Sequence, residues 1–329
     1  MSESARFLKQ ETSKAKILII GMGGGLAQLT ARLLLNTFPQ VEILGIDSRP
    51  LSVALSQPRL TCLSMKYSRG NFENLFRSHE FDYVLHLGRL THSTEDADIL
   101  AKRLDLAVMG TNKILDLVLK HKVKKLVVLS TFHVYGALPD NSLFLTEEAP
   151  LRASIKHPSL RDVVEMDQMV GQFMWRHQHE MSTILLRPCN IIGKKINNVM
   201  TKYLTTTWTP RPIDYNPMYQ FIHEFDMAQS LMASLTQLPT GVYNIASQET
   251  LGLKEALASV GTQGFPVSLF MLDQLNSLLK NLRLNIPSYL IDYLRFSCLI
   301  SPHAFLGHVG EDFFRFSIQE SLALIKSND

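Results

Sequence analysis

Lys16-Ile17-Leu18-Ile19-Ile20 runs straight into Gly21-Met22-Gly23-Gly24-Gly25-Leu26-Ala27, and no other stretch limits the fold as much. Four consecutive apolar residues suit a strand covered on both faces, the usual condition in a parallel sheet. The glycines allow a tight turn and a close approach of another group to the main chain. Ala27–Leu35 is spaced as a helix, so its opening N–H groups and positive dipole end face whatever lies over the turn. A phosphate fits there, and a dinucleotide carries two. Glycine-rich turns also serve purely structural ends, so the turn alone leaves both readings open.

With 46% hydrophobic and 19% charged residues, the 329-residue chain reads as globular and is long enough for one large domain or two coupled lobes. The net charge is only +3. Its densest basic cluster, His121-Lys122-Val123-Lys124-Lys125, falls at a helix end, where cations suit the dipole. We read it as a solvated helix terminus, and no nucleic-acid partner is expected. The cysteines, Cys62, Cys189 and Cys298, are odd in number and far apart, which suits a reducing compartment. Met1–Ser13 lacks the apolar core of a signal peptide, and no run reaches membrane-spanning length, so a cytoplasmic protein is expected. No metal is expected, because His177/His179 and His303/His308 lack carboxylate or cysteine partners at ligand spacing.

After the opening unit, strands and helices alternate. Val41–Asp47 reads as a second strand ending in an acid about twenty residues beyond the glycine turn, where a carboxylate can accept hydrogen bonds from ribose hydroxyls. That favours NAD over NADP. Arg49, two residues on, pulls the other way, because it could fold onto a 2′-phosphate. Phe81–Gly88, Lys125–Ser130 and Thr183–Pro188 read as further strands; Ala101–Lys120 and Asp162–His177 are helical by apolar spacing. Gly193–Pro217 is polar and reads as a loop-bearing stretch, after which Gln220–His223 and Val242–Ala246 return to strands around a helix at Asp226–Leu238. The expected fold class is α/β, a doubly wound parallel sheet.

Short motifs in fixed order make the pattern more specific. Gly21-x-x-Gly24-x-x-Ala27 resembles GxxGxxG, Val84–Gly88 resembles an HLAA strand end, and Gly110–Leu115 resembles GTxNLL. Leu129–Gly136 is similar to SSxxVYG, Leu186–Gly193 to LRPxNVYG, Phe221–Ala228 to FIHVxDxA and Gly241–Ile245 to GxYNI. Over roughly residues 14–250 the chain resembles the extended short-chain dehydrogenase/reductases of the NAD-dependent epimerase/dehydratase group. The resemblance implies a Rossmann-type sheet with a smaller, mostly helical C-terminal substrate lobe. Residues 14–192 would form the dinucleotide domain, with 218–246 returning to it, and 193–217 and 247–329 the lobe. It implies NAD as cofactor, with NADP less favoured, held by Gly21, Gly23, Gly24, Ala27, Asp47, Arg49, Leu87, Gly88, Pro188 and Asn190. The implied substrate is a small molecule, a nucleotide-sugar or a related hydroxyl/carbonyl compound, and a homodimer is compatible with it.

In that family a Tyr-x-x-x-Lys pair moves the proton while a Ser or Thr polarises the substrate oxygen. Thr131 matches the Ser/Thr position. No tyrosine lies between Tyr135 and Tyr203, and the one similar spacing is His157-x-x-x-Arg161. Either His157 replaces the tyrosine, with Arg161 on the ribose, or the site is degenerate and the chain is a nucleotide-binding regulator or scaffold. Imidazole ionises near neutral pH, which suits the first reading. His157-Pro158-Ser159 also reads simply as a loop with a capping serine. Tyr135 is expected to wall the cleft. Lys66–Arg69 stands where the family has an acid near the adenine, and Ala107 where it has an asparagine. The aliphatic segments Val267–Leu284 and Pro287–Ile300 are expected to cover the cleft or a dimer interface, with contact to a membrane surface as the sharper alternative.

Overall fold

The computed structural model describes residues 14–52, 58–88, 110–206, 208–271 and 287–326. Seven strands form the central sheet: β1 (Lys16–Ile20), β2 (Glu42–Asp47), β3 (Leu60–Ser64), β4 (Tyr83–His86), β5 (Lys125–Leu129), β6 (Ser182–Pro188) and β7 (Gly241–Ile245). Their order is β3-β2-β1-β4-β5-β6-β7, and every pairing is parallel. The chain thus winds outward from β1 in one direction and then from β4 in the other. This is the doubly wound sheet expected from the alternating pattern.

Alternation within β1 shows how both faces are covered. Ile17 and Ile19 join one hydrophobic core, with Ala27, Ala31 and Leu34 of α1 (Gly25–Thr37). Leu18 and Ile20 join the other, with Phe72, Leu75 and Phe76 of α2 (Arg69–Ser78) and Ile114 and Val118 of α3 (Gly110–Lys120). Residues 101–109 of the expected third helix lie outside the described residues. Met166 and Val170 of α4 (Arg161–His177) complete that second core, and α5 (Glu224–Thr236) packs beside α1 on the first.

The basic cluster divides differently from the expectation of a solvated terminus. Lys125 starts β5 and is buried, with Nζ donating to the carbonyls of Ser234 (3.2 Å), Leu235 (3.2 Å) and Leu238 (3.1 Å). These are orphan carbonyls at the end of α5, so the lysine caps a helix other than the one it follows in sequence. Burial lowers its pKa to about 8.

Gly193–Pro217 is also more ordered than its polar composition suggested. It contains a helix, Val199–Thr205, started by the Asn198 side chain accepting Thr201 N–H at 2.8 Å. It also contains a strand, Trp208–Pro212, paired in parallel with Gln263–Val267. Two smaller ladders join Asn190–Ile192 to Phe221–His223 and Met218–Tyr219 to Leu251–Gly252.

The C-terminal residues fold back over the sheet. Helix α6 (Ser288–Arg295) buries Tyr289, Leu290, Ile291, Tyr293 and Leu294. Leu145 N–H donates to Leu299 O and Ser301 N–H to Leu145 O, both at 2.8 Å. The Asp226 carboxylate accepts the N–H groups of Arg315 and Phe316 at 3.1 Å each. Residues 272–284 of the first aliphatic segment lie outside the described residues, and Phe270 and Met271 just before them are exposed. No described helix is long and apolar enough to cross a membrane.

Candidate active site

β1 and β4 lie side by side where the winding direction changes, and their C-terminal ends open the crevice in which such sheets bind ligands. Gly21 leaves β1 at φ +96°, and a Cβ there would lie 2.6 Å from the backbone of Gly88, just past β4. Only glycine fits. Leu87 N–H donates to Ile20 O at 2.9 Å, fixing the two strand ends together. Gly24 then serves as the N-cap of α1, and with no side chain it adds no capping bond. The opening N–H groups of a 13-residue helix therefore face the crevice, while Ala27 is buried against the sheet. This geometry fits a pyrophosphate.

The space freed by the other two glycines is already in use. A Cβ on Gly23 would sit 2.8 Å from both Asp47 Oδ2 and a terminal nitrogen of Arg49. One on Gly25 would run into the carbonyl oxygen of Lys195 and lie 2.6 Å from its Cβ. Lys195 is held there because its N–H donates to Glu224 at 3.0 Å. Thus the chain after β6 closes over the start of α1.

Asp47, at the end of β2, is buried and fully bonded. Its Oδ2 accepts from Gly23 N (2.8 Å) and Arg49 Nη2 (3.0 Å), and its Oδ1 from Arg49 N and Nε (2.9 Å each). Burial alone would raise its pKa, but the bonds from Arg49 and Gly23 together outweigh burial and hold it below the usual carboxylate value. Beyond β3, the Tyr67 hydroxyl donates to Ile46 O at 3.4 Å.

Past β5 the backbone turns into a short 3₁₀ segment, Phe132–Val134, capped by Thr131. Thr131 Oγ1 lies 2.9 Å from His133 Nδ1 and also accepts the His133 N–H at 3.4 Å. The His133 ring sits among Phe132 (4.2 Å between centroids), Tyr293 (4.9 Å) and Tyr289 (5.6 Å). Tyr289 is also 6.5 Å from the His157 ring. His157 Nε2 in turn meets Asp292 Oδ2 at 2.6 Å, and Lys156 Nζ meets Asp292 Oδ1 at 2.7 Å. Thr131 and His157 are thereby brought into one cluster, joined through His133 and Tyr289. Arg161 is turned away: it is 63% exposed and paired with Glu165.

Tyr135 is not a cleft wall. It is buried, donates to Asn244 Oδ1 (2.8 Å) and accepts from Arg187 Nη1 (2.9 Å). Arg187 also forks onto Asp167 (2.7 and 3.0 Å), which accepts the Ser130 hydroxyl at 2.5 Å. This network ties β5, β6 and β7 to α4 beneath the site. Pro188 ends β6 opposite Ile245, and Asn190 is buried, donating to Gln220 O at 3.1 Å. A separate cavity of about 860 Å³ opens at the N-terminal edge of the sheet, lined by Lys16, Glu42, Arg59, Arg77 and His79 among others. It is at the wrong end of the strands for this crevice.

His133, Tyr289 and Asp292 escaped the sequence reading. His133 fills a variable position of the SSxxVYG-like stretch, where a titratable side chain was the available signal. Asp292 is 135 residues from His157 and gave none.

A model of the NAD-dependent epimerase/dehydratase family matches residues 17–246, more than half of the chain. The chain belongs to this family. Among the relatives, an uncharacterised protein of Mycobacterium tuberculosis is 25% identical over 257 residues, 76% of this chain and 66% of that protein. The chain therefore spans just under two thirds of that relative's length. A UDP-glucose 4-epimerase of Dictyostelium discoideum is 29% identical over 50% of this chain and 54% of its own. Of solved structures, a dTDP-glucose 4,6-dehydratase of Bacillus anthracis in complex with NAD superposes with a TM-score of 0.72 at 16% identity, covering 95% of each chain. A UDP-glucose 4-epimerase of Thermotoga maritima with UDP-glucose also gives 0.72, at 14% identity over 94% of this chain and 97% of its own. The likeness to these structures is one of fold, and it agrees with the doubly wound parallel sheet found here.

Proposed function

We propose that this chain is a nicotinamide-dinucleotide-dependent enzyme acting on a nucleotide-sugar or related hydroxyl/carbonyl compound. The glycine turn, the uncapped start of α1 and Asp47 with Arg49 would hold the cofactor, which when bound accepts and returns hydride. The observation that carries the reading is the 2.9 Å contact of Thr131 Oγ1 with His133 Nδ1 beyond the end of β5. Thr131 hydrogen-bonds the substrate oxygen, and the His133 ring takes the proton through Thr131 as that oxygen becomes a carbonyl. Imidazole is the side chain suited to this near neutral pH. His157, fixed by Asp292, is the second candidate for that proton.

One observation favours a different reading, a binding protein without turnover: Arg161 pairs with Glu165 at the surface, so the spacing that imitates Tyr-x-x-x-Lys yields no second site group. The experiment joins titration with NADH and NADPH to a nicotinamide absorbance screen over UDP- and dTDP-sugars. Binding with turnover supports the enzyme, and binding without turnover across the panel supports the second reading. If neither cofactor binds at millimolar concentration, both fail.

A further inference from the structure

We infer that α6 is a pseudosubstrate: Tyr289 and Asp292 fill the places of a sugar ring and its phosphate, and the substrate displaces them. The inference rests on the proposal that Thr131 and His133 meet the substrate. Both are covered. Thr131 is 4% exposed. The His133 ring is closed in by Tyr289 and Tyr293 of α6, at 5.6 and 4.9 Å between centroids. The Tyr293 hydroxyl also donates to His133 O at 3.3 Å. A substrate oxygen reaches Thr131 only when α6 gives way.

The cover has the shape and charge of a ligand. Tyr289 and Asp292 stand three residues apart on a helix, so they share a face. The Tyr289 ring, six-membered like a pyranose, packs against both histidine rings, 5.6 Å from His133 and 6.5 Å from His157. Beside it, the Asp292 carboxylate accepts from Lys156 Nζ on one oxygen and meets His157 Nε2 on the other, at 2.7 and 2.6 Å. Two groups converging on two oxygens of one anion serve a phosphate equally well. Lys156 is 52% exposed, so an incoming phosphate meets it before Asp292 lets go. The sugar then takes the place of Tyr289, with a hydroxyl beside Thr131. A separate bond holds α6 shut without touching Lys156 or His157: the Tyr219 hydroxyl donates to Tyr293 O at 2.7 Å.

The test titrates the full chain with UDP, dTDP and inorganic pyrophosphate by calorimetry and reads hydrogen exchange at 288–295. At least one of these anions should bind and speed exchange there by about tenfold, whereas uridine and thymidine should do neither. Tyr219→Phe loosens only the closed arrangement, so it should tighten anion binding about three- to tenfold. Lys156→Met should weaken that binding by about tenfold or more, and Lys156→Arg should restore it. A tie that is merely structural would not move affinity in opposite directions. The inference is overturned if none of the anions speeds exchange at 288–295, if a bound anion slows it, or if Tyr219→Phe and Lys156→Met shift affinity the same way. NADH titration of the same preparation separates the two proposals. Cofactor binding without anion-driven exchange overturns the pseudosubstrate alone, and absence of binding by either nicotinamide cofactor overturns the proposal beneath it.

Discussion

Nε2 of His157 lies 2.6 Å from Oδ2 of Asp292, although 135 positions separate the two residues. The contact fastens α6 to the loop before α4, with Lys156 on the second oxygen. Burial by itself would raise the Asp292 pKa, but the bonds from His157 and Lys156 outweigh it, and the carboxyl stays below its usual value. Its contribution is present above the unfolded value of about 4 and is lost as pH falls through the lower folded value. Asp292→Ala should therefore cost about 1–3 kcal/mol in urea unfolding at pH 7. That difference should narrow in acid.

Arg187 and Asp167 are both buried and bonded through two nitrogens and two oxygens. Removing one partner strands the other charge. Arg187→Met should destabilise by about 3–5 kcal/mol, whereas combining it with Asp167→Leu should recover part of the loss. Chemical denaturation of the single and double variants gives the coupling directly.

His86, the last residue of β4, is buried with Nε2 3.2 Å from Thr111 Oγ1 and no partner for Nδ1 among the described residues. Burial lowers its pKa to about 4. Between that value and the unfolded one near 6.5 the unfolded chain binds more protons, so stability falls as pH drops through this window. The loss attributable to His86 is at most about 3 kcal/mol. His86→Phe should flatten the stability profile between pH 6.5 and 4, measured by urea unfolding.

Loss of His133 should be felt in turnover. On any sugar nucleotide the wild type converts, His133→Gln and Thr131→Val should each lower kcat by about 10²–10⁴-fold with little change in cofactor affinity. His157→Gln should lower kcat less than His133→Gln. Equal rates for His133→Gln and wild type would remove the assignment.

Much of the fold could be read locally. β1, α1 and β5 have aliphatic runs or helical spacing that leave little choice, and the order of the family-like motifs matches the order of the strands they flank. Lys125 and Tyr135 misled because their environments are made by distant chain: the end of α5 supplies the carbonyls for one, and Asn244 with Arg187 the partners for the other. The site divides along the same line. Gly21, Asp47 and Thr131 announce themselves by position, while the Tyr289–Asp292 side of the cluster exists only after α6 docks.

Gly25 carries a consequence for how this chain can change. Its missing side chain leaves room that the Lys195 backbone occupies, with Glu224 holding that backbone in place. Gly25→Ala should therefore cost about 1–3 kcal/mol and raise hydrogen exchange at 193–196. A substitution at Glu224 that releases the loop should make the same alanine nearly harmless. Positions 25 and 224 then form a lock with an order of opening: the loop has to give way before the turn can acquire a side chain.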